Sequence, residues 1–529
     1  MGKKIVLLWL LFCLANISFA QRNVILIIAD DLSPDFFGFY EGYGDTVDVP
    51  NIRALVKRGV RFKNGMSNPV CSSTRSSILT GRYGFRTGVG GIVGGSGGSG
   101  QLDTAEMTIP RILKAYKSNI STANIGKWHL HNPSPAALFY PNKMGYDHFE
   151  GPFIGALPSF TNWSKIINGT TVNVTNYATT ENVNNAVTWI KAQGTKPFFL
   201  WLAFNAPHEP LHLPPAGLHS FTSLTGTAQD IKNKPKSYFK AMIQAMDTEI
   251  GRLFDSLRTT NRFDSTDIIF IGDNGSTPRT AQTLDTSKAK GTVYQYGVRT
   301  PFIASGPSVV NPGRSSDALV NVADIFATVM DLFGNQNWSS QIPVNKIVDS
   351  KSFMNVIRGE KSATRAWTFC EIFKTTHDSD EAKAMRNIDY KLIRFDYGGE
   401  EFYNLSKDPN ETNNLLKTTM TNTDSVNYSY LCNEMTNLVG KGITCKTIGA
   451  TNAINEINQS RRAHPNPFQD FIQIKEASQG EIFTLINMQG EKIYEGESIS
   501  KQNFSYLSNG VYFLKSNVES TNIIKLFKQ

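Results

Sequence analysis

Six short stretches of the chain carry side chains able to act on a charged, oxygen-rich group. Asp30 and Asp31 end NVILIIADD, and Asp273 with Asn274 ends the reactive part of IIFIGDNG. These four are oxygen donors without a zinc-type thiolate or imidazole pattern, which points to a hard cation, calcium or magnesium. Arg75 in CSSTRSSILTGR, Lys127 and His129 in IGKWHL, His208 in APHEP and Lys290 in KGTVYQYGVRTP add positive charge and imidazoles. A divalent ion ringed by such side chains suits a tetrahedral oxyanion, sulfate or phosphate. Each piece alone has a plainer reading: DD as a turn or helix cap, GDNG as a turn, a lone histidine as a satisfied structural residue. Cys71 raises a separate question, because a free thiol amid hydroxyl residues is by default a small buried hydrophobe.

The elements around these residues explain how they could meet. Asn23 to Ala29 is a continuous β-branched run, as expected of a strand buried on both faces of a parallel sheet. Further strands are predicted at Thr122–Ile125, Pro197–Ala203, Asp267–Ile271 and Pro301–Ala304. Helices are predicted at Pro50–Gly59, just after Cys71, at Ile109–Tyr116, Glu181–Ala192 and Lys236–Leu257. The glycine-rich Gly88–Gly100 reads as a mobile loop. Strands and helices in alternation imply an α/β sandwich with a large, mainly parallel sheet. The polar residues stand where strands stop, and in open α/β sheets sites form at the carboxyl ends of strands.

Taken together and in order, NVILIIADD, CSSTRSSILTGR, IGKWHL, APHEP, GDNG and KGTVYQYGVRTP resemble the type I sulfatases of the alkaline phosphatase superfamily. The resemblance runs from about Asn23 to about Leu416, where EEFYNLSKDPNETNNL is similar to the family's closing segment. It implies that Cys71, in a C-x-[PA]-x-R type signature, is oxidised to Cα-formylglycine by a formylglycine-generating or sulfatase-maturing enzyme. The hydrated aldehyde would attack sulfur through one hydroxyl and expel sulfate when the other loses its proton. Calcium would be held by Asp30, Asp31, Asp273, Asn274 and the modified Cys71. Arg75 would orient the diol, Lys127 and His129 would bond its hydroxyls with His129 as base, and His208 and Lys290 would face the sulfate, with His208 as acid. The chain departs from the pattern at Ser73 (Pro or Ala in the signature), Thr74 (more often Ser), Gln295 and Tyr296 (often Glu and Gly), and His131 after Leu130 (where Gly is usual).

Across the 529 residues, 40% hydrophobic and 19% charged content describes a globular chain large enough for more than one domain. The net charge of +8 is modest: it would favour a polyanionic substrate or surface, with no nucleic acid expected as partner, but a weakly basic solvated surface is the plainer reading. Residues 1–20 read as a cleavable signal peptide, since the apolar run from Ile5 is too short for a membrane span. The expected organisation is a catalytic α/β domain over 21–349, a smaller α+β subdomain with an antiparallel sheet over 350–440, a linker over 441–463, and an all-β sandwich over 464–529. That last unit, through PNPF, LSNGVYFLK and the terminal KLFKQ, resembles the type A sorting domain of the type IX secretion system; a carbohydrate-binding module is its structural rival. The resemblances together imply a secreted or cell-surface sulfatase, exported through the periplasm, acting on sulfated polysaccharides such as ulvan, carrageenan, fucoidan or porphyran, or on glycosaminoglycans. A phosphodiesterase or phosphonate hydrolase of the same superfamily, and a non-catalytic glycan-binding protein, are the alternatives. Cys432 and Cys445 are close enough in sequence to pair. Trp128, Phe139, Tyr140, Phe149, Trp163 and Trp201 are aromatic candidates for stacking on sugar rings.

Overall fold

The computed structural model describes residues 22–440 apart from 43, 96–97 and 377–380, then Cys445 and, in the C-terminal region, 463–464, 468–474, 480–487, 491–517 and 523–528. The signal peptide read at 1–20, and all of the 441–463 linker except Cys445 and Ala463, lie outside the described residues.

Ten strands form the main sheet: β1 (Asn23–Ala29), β2 (Gly59–Met66), β3 (Ser121–Gly126), β4 (His148–Gly151), β5 (Trp163–Ile167), β6 (Thr170–Val174), β7 (Phe198–Ala203), β8 (Thr266–Gly272), β9 (Phe302–Ser305) and β10 (Arg314–Asn321). Their order is β10-β2-β9-β8-β1-β7-β3-β4-β5-β6. The centre, from β8 through β1, β7 and β3 to β4, is parallel, and β9 runs antiparallel to both its neighbours. β1 is wholly buried, and its alternating side chains feed two cores. Ile25 and Ile27 pack with the helices Ala178–Ala192 and Pro235–Thr259, while Val24, Leu26 and Ile28 face the opposite layer. That layer includes α2 (Cys71–Thr80) and α4 (Ile109–Tyr116). Before them in the chain comes α1 (Pro50–Lys57), and between them the short α3 (Gly84–Thr87). The chain is thus an α/β sandwich with helices on both faces of a large, mainly parallel sheet.

The smaller antiparallel sheet has the order β11 (Thr368–Ile372), β12 (Ala382–Arg386), β13 (Tyr390–Phe395), β14 (Glu400–Asn404) and is accompanied by the helix Asn422–Val439. Cys432 on that helix forms a disulfide with Cys445. The C-terminal unit is a separate compact body over 446–529. Its described strands pair β18 (Lys492–Gly496), β17 (Phe483–Asn487), β19 (Gly510–Ser516) and β20 (Ile523–Lys528) antiparallel, after the short pair β15 (Ala463–His464) and β16 (Gln473–Ile474). Phe468, Leu485, Phe504 and Leu514 fill its core. Among the described residues no helix is long and apolar enough to cross a membrane.

Candidate active site

Register places the first four polar residues side by side. Ala29 of β1 lies opposite Gly272 of β8, so the residues just past each strand end meet. The Asp273 amide donates to Ala29 O (3.0 Å), the Asp31 amide to Asp273 Oδ1 (3.1 Å), and Asn274 Nδ2 to Asp31 Oδ1 (2.7 Å). Asp31 turns through left-handed backbone at φ 67°, a conformation uncommon for a non-glycine residue. Lys127 follows β3 and Gly126, whose close approach to β7 leaves no room for a side chain: a Cβ there would lie 1.9 Å from Ala203 O.

Cations converge on these acids. Lys127 Nζ is 2.5 Å from Asp30 Oδ2, and Lys290 Nζ is 2.5 Å from Asp31 Oδ1. Arg75 donates through Nη2 to Asp273 Oδ2 (2.8 Å) and through Nη1 to Lys127 O (2.9 Å). His208 Nε2 lies 3.6 Å from Asp31 Oδ2, and its Nδ1 is 2.7 Å from Glu209 O. Eight of the ten site residues read from the sequence, all but Cys71 and His129, therefore belong to one connected network at the strand ends.

The electrostatics follow from this crowding. Burial alone would push the Asp31 carboxyl up, but Lys290, His208 and Lys127 hold it well below the usual carboxylate range. Asp273 is pushed up to about 6 by burial and by its neighbour Asp30, against the pull of Arg75. Burial, then Lys127 and Arg75, drive His129 far below an ordinary imidazole, so it is neutral.

Even so, three buried oxygens here have no hydrogen-bond partner: Asp30 Oδ1, Asp31 Oδ2 and Asn274 Oδ1. Orphaned buried oxygens are costly. Ligand atoms of Asp30, Cys71 and Asp273 all lie within 4.8 Å of one another, as do those of Asp30, Asp31 and His208. Unsatisfied hard donors in this number fit a hard divalent cation.

Cys71 opens α2, and all ten residues of that helix are buried. A helix so rich in serine and threonine tolerates burial because its hydroxyls are used. Ser73 donates to Val70 O (2.9 Å), Thr74 Oγ1 accepts from the Asn68 amide (3.0 Å), and Ser72 Oγ accepts from the Val93 amide (3.1 Å). Ser73 and Thr74, the two departures from the maturation signature, thus bond the backbone that leads into the helix.

The Cys71 Sγ lies 3.2 Å from His129 Nδ1, and His129 Nε2 lies 3.2 Å from Val93 O. A carbonyl only accepts, so Nε2 carries the hydrogen and Nδ1 turns its lone pair toward residue 71. Val93 was not legible as a site residue, because its contribution is a peptide carbonyl. Nor was Gly155, where a Cβ would sit 2.3 Å from His129 Cε1. Within the stretch read as a mobile glycine-rich loop, Val89 and Val93 are buried, and Val93 bridges to Ser99. Its backbone groups are taken by α2 and by His129.

Lys290 also lines a cleft of about 520 Å³ shared by Ile92, Tyr294, Lys374 and Phe395. Of the aromatic candidates, Trp128, Phe149, Trp163 and Trp201 are core residues. Tyr140 packs edge-on to His131, and Phe139 is 49% exposed.

Residues 288–438 match the family described as N-sulphoglucosamine sulphohydrolase, C-terminal, and residues 462–528 match a secretion system C-terminal sorting domain. Human N-acetylgalactosamine-6-sulfatase is 28% identical over 352 residues, covering 59% of this chain and 62% of the relative. Mouse arylsulfatase J is 26% identical over 60% of this chain and 53% of its own length, so the chain spans less than two thirds of these relatives. The arylsulfatase of Klebsiella aerogenes is 25% identical over 59% of this chain and 87% of the relative. Among solved structures, Ps i-CgsB in complex with k-i-k-neocarrahexaose superimposes with a TM-score of 0.67 at 23% identity, covering 79% of this chain and 92% of that one. The PsFucS1 sulfatase from Pseudoalteromonas sp. gives 0.63 at 21% identity, covering 79% and 90%. At these identities the two structures speak for the fold. The Sulfatase family profile itself matches residues 22–335, more than half of the 529, and the chain belongs to that family.

Proposed function

We propose that this protein hydrolyses sulfate esters on a sulfated glycan, with Cys71 matured to Cα-formylglycine and a calcium ion held by Asp30, Asp31, Asp273, Asn274 and residue 71. The observation that carries the reading is the trio of orphaned oxygens of Asp30, Asp31 and Asn274 beside a nucleophile position that faces a neutral imidazole at 3.2 Å. When present, the hydrated aldehyde supplies the attacking hydroxyl and the calcium supplies positive charge for that hydroxyl and for the sulfate oxygens.

The chain's own residues do the rest. His129 Nδ1 is the acceptor for a proton leaving residue 71, and the Val93 carbonyl keeps it in the accepting tautomer. Arg75 pairs with Asp273 and Lys127 with Asp30, and both add positive potential where negative charge develops. His208 Nδ1–H donates to Glu209 O and its Nε2 faces Asp31, so that in the imidazolium form Nε2–H is the group to protonate the departing alcohol. Lys290, joined to Asp31 and lining the adjacent cleft, is the cation placed to meet sulfate as it enters.

A structural neighbour solved with k-i-k-neocarrahexaose and relatives named N-acetylgalactosamine-6-sulfatase support a glycan substrate, an algal polysaccharide such as carrageenan, fucoidan or ulvan, or a glycosaminoglycan. The sorting-domain match supports export by a type IX machinery to the cell surface or medium, and a maturing enzyme for Cys71 follows from the same reading. Side-by-side assays on 4-nitrophenyl sulfate and 4-nitrophenyl phosphate, with sulfate release from carrageenan oligosaccharides, test the reaction class. Preference for phosphate would replace the reading with the phosphodiesterase alternative. Mass spectrometry of the peptide holding Cys71 tests the nucleophile, and an intact thiol in fully active enzyme would overturn it.

A further inference from the structure

A second cleft contains none of the residues assigned to the reaction. It encloses about 530 Å³ and is bounded by Lys63, Lys288, Arg299, Arg386, Leu284 and Ile388, among others. The segment 288–296 separates it from the cleft that Lys290 lines: Lys288, Gln295 and Tyr296 face this side, while Lys290 and Tyr294 face the other.

The charge in this second cleft is unbalanced at one point. Arg386, the last residue of β12, is only 4% exposed. Its Nε donates to Asn387 O (2.9 Å) and its Nη2 to Ile388 O (2.7 Å), both neutral carbonyls. The acids nearby are engaged elsewhere. Glu411 takes Lys391 (2.8 Å) and the Gln295 amide (2.6 Å), Asp317 takes Lys63 (3.2 Å), and Asp389 takes the Ser406 hydroxyl (2.6 Å). Among the described residues no carboxylate comes within ion-pair distance of the Arg386 guanidinium. Arg299 adds a second guanidinium close enough that burial and Arg299 together push Arg386 down to about 10 against the pull of Glu411 and Asp389, neither of which reaches ion-pair distance. A buried cation beside another cation is costly unless an anion meets it. A guanidinium open to a cleft is suited to a tetrahedral or planar oxyanion, which it can engage through two parallel N–H groups.

We propose that the Arg386–Arg299 cleft binds a sulfate ester carried by the glycan on a sugar unit other than the one being hydrolysed. The proposal rests on the glycan reading above and extends it to the substrate class: a polysulfated chain held at two anionic points, one on each side of the 288–296 wall. The exposed Leu284 and the 45% exposed Ile388 at the rim give apolar surface for a sugar face between charges.

The test uses the full chain carrying Cys71→Ala, which binds without turnover, titrated calorimetrically with a dextran sulfate oligosaccharide and separately with sodium sulfate. Arg386→Gln and, as a variant at an exposed position with little bearing on folding, Ile388→Glu should each weaken oligosaccharide binding five- to tenfold. In the matured enzyme both should raise KM for a sulfated oligosaccharide by a similar factor, with kcat unchanged and turnover of 4-nitrophenyl sulfate within twofold of wild type. Oligosaccharide affinity unchanged in Ile388→Glu, or no binding at all, would overturn the proposal. Arg386-dependent binding of sodium sulfate alone would also overturn it and assign the cleft to the free product. Failure of the parent enzyme on 4-nitrophenyl sulfate would instead count against the sulfatase reaction, since that substrate does not reach the second cleft.

Discussion

Acids are buried in two opposite ways in this molecule. At the ends of β1 and β8, Asp30, Asp31 and Asp273 are fully buried but surrounded by Arg75, Lys127 and Lys290. On β11, Glu371 is just as buried, yet its Oε1 accepts from one backbone amide, Phe85 in α3 (2.7 Å), and its Oε2 has no hydrogen-bond partner among the described residues. Cations hold Asp31 ionised; burial pushes Glu371 up to about 7. An acid held ionised by converging cations, as Asp31 is, is built to hold something, whereas an isolated acid pushed up by burial, as Glu371 is, is a packing element.

The contrast can be broken or sharpened by experiment. Asp31→Asn should do the most damage, since it leaves Lys290 buried against a neutral amide. We expect turnover of 4-nitrophenyl sulfate to fall by about three orders of magnitude, and unfolding free energy to drop by roughly 3 to 5 kcal/mol, as for breaking one partner of a buried pair. Comparable stability in urea titrations would mean the cluster is not charge-coupled as described.

Glu371→Gln should act in the opposite direction. Below pH 4.5 the acid is protonated in the folded and the unfolded chain and costs nothing; between 4.5 and about 7 the unfolded chain ionises while the folded one resists, so wild-type stability is lost as pH rises through that window. The glutamine variant removes this loss, gaining up to about 3 kcal/mol at pH 8 and close to nothing at pH 4. Denaturant unfolding at the two pH values reads the difference, and a variant less stable at pH 8 would contradict the assignment.

Stripping divalent ions with EGTA should touch only the first acid group. The melting midpoint should fall, and calcium at about a hundred times its dissociation constant should restore close to 3 kcal/mol. Magnesium restoring it equally well would leave the hard-cation site but not the choice of calcium. The smallest effect is expected from Gly155→Ala, whose methyl would displace the His129 ring and lower kcat by about a hundredfold, with the melting temperature little changed. Unaltered kcat would remove His129 from its role as base.

How much of this was readable beforehand depends on where the information resides. β1 and α4 were read with the bounds they have, because an unbroken β-branched run and an amphipathic helix announce themselves in residue types. β2, with Lys63 and Asn64 in GVRFKNGM, and β10, in RSSDALVN, were missed: they are strands by virtue of their neighbours, against their own composition. The antiparallel edge of β5 and β6 was missed as well. Site residues that act through a side chain stood out at the ends of hydrophobic runs. Val93, which acts through its carbonyl, and Gly155, which acts by having no side chain, left no trace in residue type. Arg386 lay in no motif. The stacking role suggested for Trp128 and Trp201 gave way because large aromatics in strands and their flanks are usually core, as here.

His129 takes its bearing from a peptide oxygen of the glycine-rich loop, where many catalytic histidines lean on an aspartate. Amide oxygens do not titrate in water at any biological acidity. The ring should therefore keep the same nitrogen turned toward residue 71 in surroundings sour enough to discharge a carboxylate brace, and the limit on acid tolerance passes to the ion-binding aspartates.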